Sequence, residues 1–181
     1  MKKKSKALDL ELTSSSILIE TGGKKMKKLL IIYYSWSNGN TERIAKMIAD
    51  MTGADLFKIE QKIPYAADYN TCIAQAKEDK QTGKRPEILN LPQDIDQYDE
   101  IYLGYPNYWG TMPMAVYTFL ESYDFTGKKI HPFCTHEGSG LSNTESDIKK
   151  SAKGAVIEKG IAIYGSSVDQ AKDVLERWIQ K

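Results

Sequence analysis

The chain is poor in the residues that build metal centres and disulfide frameworks. Its 181 residues include two cysteines, Cys72 and Cys134, and two histidines, His131 and His136. Two distant cysteines suggest neither a disulfide scaffold nor a thiolate metal site, and they fit a reduced, cytoplasmic setting. No run approaches the ~18 consecutive apolar residues of a membrane span. Neither sign of charge dominates: 25 Lys and Arg face 24 Asp and Glu, for a net charge of +1. That balance argues against a dedicated nucleic-acid binder. Two nucleotide signatures are missing as well. No Gly-Lys-Ser/Thr follows a glycine-rich turn, so a P-loop is excluded, and the G-x-G-x-x-G spacing of a dinucleotide fingerprint is absent.

What is present begins at residues 29–41, Leu-Leu-Ile-Ile-Tyr-Tyr-Ser-Trp-Ser-Asn-Gly-Asn-Thr. The first six residues form an apolar and aromatic run, as in a strand buried on both faces of a sheet. Behind the polar turn, Ile44, Met47, Ile48 and Met51 repeat at helical spacing. The turn between strand and helix offers hydroxyls from Ser35, Ser37 and Thr41 and amides from Asn38 and Asn40, with no Lys or Arg before Glu42. Together with the free N–H groups of a helix start, these dipoles suit an anion such as a phosphate. An ordinary strand-to-helix turn needs only one such cap. A receiver domain of related topology would need an Asp at the end of this strand, where Tyr34 and Ser35 stand.

Periodicity and turn residues extend the pattern along the chain. Strands are expected at 54–60, 100–105, 130–135 and 156–164, the last broken by Gly160; helices are expected at 69–82, after Pro113, near 143–150 and over 168–179. Ser166 or Ser167 would cap the last helix. Alternating strands and helices imply an α/β fold, a three-layer doubly wound sandwich around a parallel sheet. In such sheets ligands lie beyond the carboxyl ends of the strands. The loops there, 106–111 and 136–140, are rich in Gly, Asn, Ser and aromatics. The paired aromatics Tyr108 and Trp109 suit stacking on a planar ring, against a bland role as hydrophobic cover. Cys134 suits a small core residue.

Residues 1–25 look foreign to this domain. Six of the 25 basic groups and three of the 24 acidic groups fall there, which leaves 19 and 21, a net of −2, for the rest. Asp9 and Glu11 interrupt any signal-peptide core. Gly22-Gly23-Lys24-Lys25-Met26 implies a purine-rich tract before a Met codon, which resembles a ribosome-binding site. The expectation is a disordered extension or a start-site overrun over 1–25, followed by one domain over 26–181.

Three segments together resemble the flavodoxin-like family, in its short bacterial FMN-binding form. The first is Ser35-Trp36-Ser37-Asn38-Gly39-Asn40-Thr41, the phosphate loop, in which Asn38 is an insertion or a replacement relative to the usual pattern. The second runs from Gly104 through Tyr105-Pro106-Asn107-Tyr108-Trp109 to Pro113, and the third is Thr135-His136-Glu137-Gly138-Ser139-Gly140. The resemblance implies a five-stranded sheet in 2-1-3-4-5 order holding one FMN. It places Ser35, Ser37, Asn38, Gly39, Asn40 and Thr41 at the phosphate. Tyr105, Pro106, Asn107, Tyr108 and Trp109 would line the isoalloxazine, and Thr135, His136, Glu137, Gly138 and Ser139 would border its other side. Glu137 would either repel the reduced ring or stand in solvent. Flavin would carry the chemistry, without catalytic side chains or metal.

Three functions compete. One is an FMN-dependent oxidoreductase taking hydride from NAD(P)H to a small acceptor such as a quinone. The second is a carrier shuttling single electrons between a reductase and a protein partner; such carriers are strongly acidic, unlike the near-neutral domain here. The third is a flavin-free descendant of the fold. No nucleic acid or membrane partner is implied, and the oligomeric state, homodimer included, is left open.

Overall fold

The computed structural model describes residues 27–181. The expectations about residues 1–25 and the start of the domain at Met26 lie outside the described residues. The chain runs β1 (Leu29–Tyr33), α1 (Asn40–Thr52), β2 (Asp55–Lys58), α2 (Tyr69–Thr82), β3 (Glu100–Pro106), α3 (Met114–Glu121), β4 (Lys129–His136), α4 (Thr144–Ser151), β5 (Val156–Ile157), β6 (Ile161–Tyr164) and α5 (Lys172–Ile179). All strand pairings within the sheet are parallel, in the order β2-β1-β3-β4-β5, with β6 also on β4. This is the α/β, doubly wound sheet expected, in the 2-1-3-4-5 order.

Alternation along the buried strands builds two cores. Leu30, Ile32 and Tyr34 face Val116, Phe119, Leu120 and Ile148 of α3 and α4. Ile31 and Tyr33 face Ile44, Ile48 and Leu175 of α1 and α5. Successive side chains point to opposite faces of a strand, so an unbroken apolar run is what a sheet covered on both sides requires. Beta-3 and β4 approach closely where Gly104 opposes Phe133: a Cβ on Gly104 would stand 2.1 Å from the Phe133 ring.

The fifth strand is split in two. Between the pairs Ile130–Ile157 and Phe133–Ile161, His131 and Pro132 on β4 oppose Glu158, Lys159 and Gly160. Pro132 has no N–H to give the ladder, and the extra residue forms a bulge there. Gly160 donates its N–H to Glu145 Oε1 instead, at 2.7 Å. The last helix also differs from expectation. Residues 165–170 form a 3-10 turn, α5 starts at Lys172, and neither Ser166 nor Ser167 caps it.

Candidate functional site

Parallel strands bring the ends of β1, β3 and β4 to one edge of the sheet, and a cleft of about 540 Å³ opens there. Each of the three loops contributes four expected residues: Ser37, Asn38, Asn40 and Thr41; Pro106, Asn107, Tyr108 and Trp109; Thr135, His136, Glu137 and Ser139.

The first loop is built around the start of α1. Gly39 is the residue before the helix, with φ +68°, a conformation that costs glycine little. The Glu42 N–H donates to Ser35 Oγ at 3.2 Å, and Arg43 N–H donates to Gly39 O at 2.9 Å. The cap position is Gly39, and the buried Ser35 side chain, four residues earlier, satisfies the Glu42 N–H of the first turn. The first-turn N–H groups of Asn40 and Thr41 have no intrahelical acceptor. Thr41 Oγ1 lies 2.7 Å from Thr135 Oγ1, a buried hydrogen bond that joins this loop to the end of β4. Arg43 Nη2 donates to Asn40 Oδ1 at 2.6 Å, and its other terminal nitrogen pairs with Asp169.

The second loop is a tight turn. Tyr108 and Thr111 exchange backbone hydrogen bonds at 2.8 and 3.2 Å, around Trp109 with φ +56° and Gly110 with φ +82°. Two central residues with positive φ define a type I′ turn, which suits Gly and strains Trp. Helix α2 holds Trp109 there: Nε1 donates to Ile73 O at 3.0 Å, Lys80 Nζ donates to Trp109 O at 2.6 Å, and Lys77 Nζ lies 5.1 Å from the ring centroid. Tyr108 packs edge-on to Tyr34, with centroids 6.5 Å apart, and tilted to Tyr65, at 6.3 Å. Burial pushes the phenols of Tyr34 and Tyr108 far above their ordinary value, so both stay protonated.

Asn107 ties the second loop to the third. Its Nδ2 donates to Gly140 O at 2.9 Å and to Ser142 Oγ at 3.2 Å, while its Oδ1 accepts the Gly110 N–H at 2.9 Å. In the third loop, Gly138 N–H donates to His136 Nδ1 at 2.9 Å, which leaves Nε2 to carry the proton of the neutral ring. The His136 ring stands edge-on to Tyr164, with centroids 5.3 Å apart.

Tyr105 does not reach the cleft. Its side chain is fully buried in the core under α3, so strand alternation turns it away from the site. Cys134 is likewise a core residue, and burial pushes its thiol up to about 12. Sequence reasoning missed the second wall of the cleft, formed by Ala67, Tyr69, Cys72, Ile73 and Ala76. The last four belong to the helix expected over 69–82, whose spacing alone does not distinguish a face on a core from a face on a cleft. Trp36 lines the cleft and donates from Nε1 to Ala66 O at 3.3 Å. Among the described residues no cluster of His, Cys, Asp or Glu could hold a metal, and no helix is long and apolar enough to cross a membrane.

A parallel doubly wound sheet with a cleft of hydroxyls, amides and aromatics at its carboxyl edge defines a class of ligand-binding α/β proteins. The flavodoxin model of protein families matches residues 28–181, and the chain belongs to the flavodoxin family. A crystallised protein of Bacteroides uniformis is 29% identical with a TM-score of 0.72, over 87% of this chain and 100% of that one. A flavoprotein of Lactobacillus acidophilus, solved in complex with FMN, is 28% identical with a TM-score of 0.64, over 80% of this chain and 98% of that one. An NAD(P)H dehydrogenase (quinone) of Cupriavidus metallidurans is 30% identical over 53% of this chain and 46% of its own length.

Proposed function

We propose that the cleft holds FMN and that the protein is an oxidoreductase. It would pass electrons or hydride from a reduced donor such as NAD(P)H to a small acceptor such as a quinone. One observation carries this reading: a loop of hydroxyls and amides without Lys or Arg, at the start of α1, opens into the same cleft as the aromatic turn at Tyr108 and Trp109. The charge of a phosphate suits the first feature and a planar ring suits the second. The FMN complex of the Lactobacillus acidophilus protein and the activity named for the Cupriavidus metallidurans protein support it.

In this reading Ser37, Asn38, Asn40 and Thr41 hold the phosphate with the N–H groups of the first turn of α1, and Gly39 keeps the loop close to it. Ser35 serves that end by holding the Glu42 N–H of the first turn. Pro106, Asn107, Tyr108 and Trp109 line one side of the ring, and Thr135, His136, Gly138 and Ser139 border the other. Tyr105 contributes only its backbone. FMN supplies the electron- and hydride-accepting ring when bound. The chain orients it, keeps water from one side with Tyr108 and α2, and presents the His136 Nε2 proton as a donor.

Anaerobic stopped-flow mixing of the FMN-loaded protein with NADH or NADPH tests the enzymatic part. Bleaching of the flavin absorbance within seconds, followed by its return on adding a quinone, is expected. Failure of both nucleotides to bleach a bound flavin would instead favour a single-electron carrier that takes its electrons from a reductase.

A further inference from the structure

Glu137, expected to border the flavin ring, lines the cleft, and its carboxylate lies close to the first loop. A Cβ on Gly165 would stand 1.9 Å from Glu137 Oε1 and 2.9 Å from Asn40 Nδ2. The carboxylate therefore lies against the bare backbone of Gly165, next to the amide of the first loop. Tyr164 fixes the segment, donating its OH to Glu137 O at 3.3 Å. Arg43, which bonds Asn40 Oδ1, is also committed to Asp169. No Lys or Arg pairs with Glu137 among the described residues. Glu137 thus stands without a paired cation beside a loop that itself contains no Lys or Arg.

We infer that Glu137 sets how much negative charge the phosphate end of the cleft accepts, opposing the phosphate of FMN and so lowering affinity for FMN relative to riboflavin, which has the same ring without the phosphate. Like charges a few ångströms apart at a half-solvated site repel by enough to change binding about tenfold, and the repulsion shrinks as salt screens it. This inference rests on the reading of the cleft as an FMN site, and the experiment separates the two.

Dissociation constants for FMN and for riboflavin would be measured by fluorescence titration at low salt, for the wild type, Glu137→Gln and Glu137→Lys. Because Glu137 is exposed, both variants should fold, and thermal melts check this. Glu137→Gln should bind FMN about tenfold more tightly and Glu137→Lys more tightly still, with riboflavin unchanged within about twofold. A flat ratio of the two constants across the series, or a parallel change for both flavins, would overturn the role of Glu137 while leaving the FMN site standing. Failure of the wild type to bind either flavin would remove the site itself.

Discussion

The side-chain amide of Asn107 donates to the carbonyl of Gly140 at 2.9 Å, so the turn after β3 and the loop after β4 are one unit. The same side chain accepts the Gly110 N–H at 2.9 Å and so also fixes the strained turn at Trp109. Asn107→Ala removes all of these bonds. It should lower stability by about 1–2 kcal/mol and weaken FMN binding about tenfold, because both sides of the cleft lose their common tie. Urea unfolding and flavin titration of the same preparation measure both effects. Wild-type affinity in Asn107→Ala would show that the two loops are held independently.

Thr41 and Thr135 make a second tie, between the first loop and β4. Replacing either by Val leaves a buried hydroxyl without its partner, at a cost of about 1–2 kcal/mol. The double variant should cost less than the sum of the two, since no orphaned hydroxyl remains. A double-mutant cycle by chemical denaturation decides it, and strict additivity would deny the coupling.

Gly104 is required by the ring of Phe133, not by its backbone angles. Gly104→Ala should destabilise the fold by about 2–3 kcal/mol through overpacking between β3 and β4. Gly104→Ala combined with Phe133→Leu should recover part of that loss. Equal melting temperatures for wild type and Gly104→Ala would contradict the close approach.

Glu100 gives the acid limb of stability a specific source. Burial works against its charge, but hydrogen bonds from Lys27 and His131 offset this and hold the carboxyl below its ordinary value of 4.5. A carboxyl depressed in the folded state stabilises the fold above its unfolded value, and that stability is lost as pH falls through the folded one. Glu100→Gln should therefore flatten the fall in stability below about pH 4.5. Denaturation midpoints from pH 3 to 7 test it, and identical slopes for both proteins would contradict it.

Much of the architecture was legible because buried parallel strands leave apolar runs and their ends leave small polar residues. The run before Ser35 and the helical spacing of Ile44 and Ile48 fixed β1 and α1, and Gly53 closes that helix with φ +69° as its position implies. What escaped was set by side-chain direction and by contacts distant in sequence. Ser35 accepts the first-turn N–H of Glu42, a role that nothing in the sequence assigns to it over the other hydroxyls of the loop. Tyr105 turns into the core because the pleat gives that position to the α3 side. The break in the fifth strand was visible as Gly160, but its cause, Pro132 on the neighbouring strand, needs the register. The α2 wall was hidden because a helical stripe looks the same whether it meets a core or a cleft.

Three strand ends and α2 are proposed to form one flavin site. Titrating FMN into cofactor-free protein while following tryptophan fluorescence and the melting temperature tests it most directly, since Trp36 and Trp109 both line the cleft. Saturable quenching at one FMN per chain with a raised melting temperature is expected. Unchanged fluorescence and an unchanged melting temperature at saturating FMN would contradict the account.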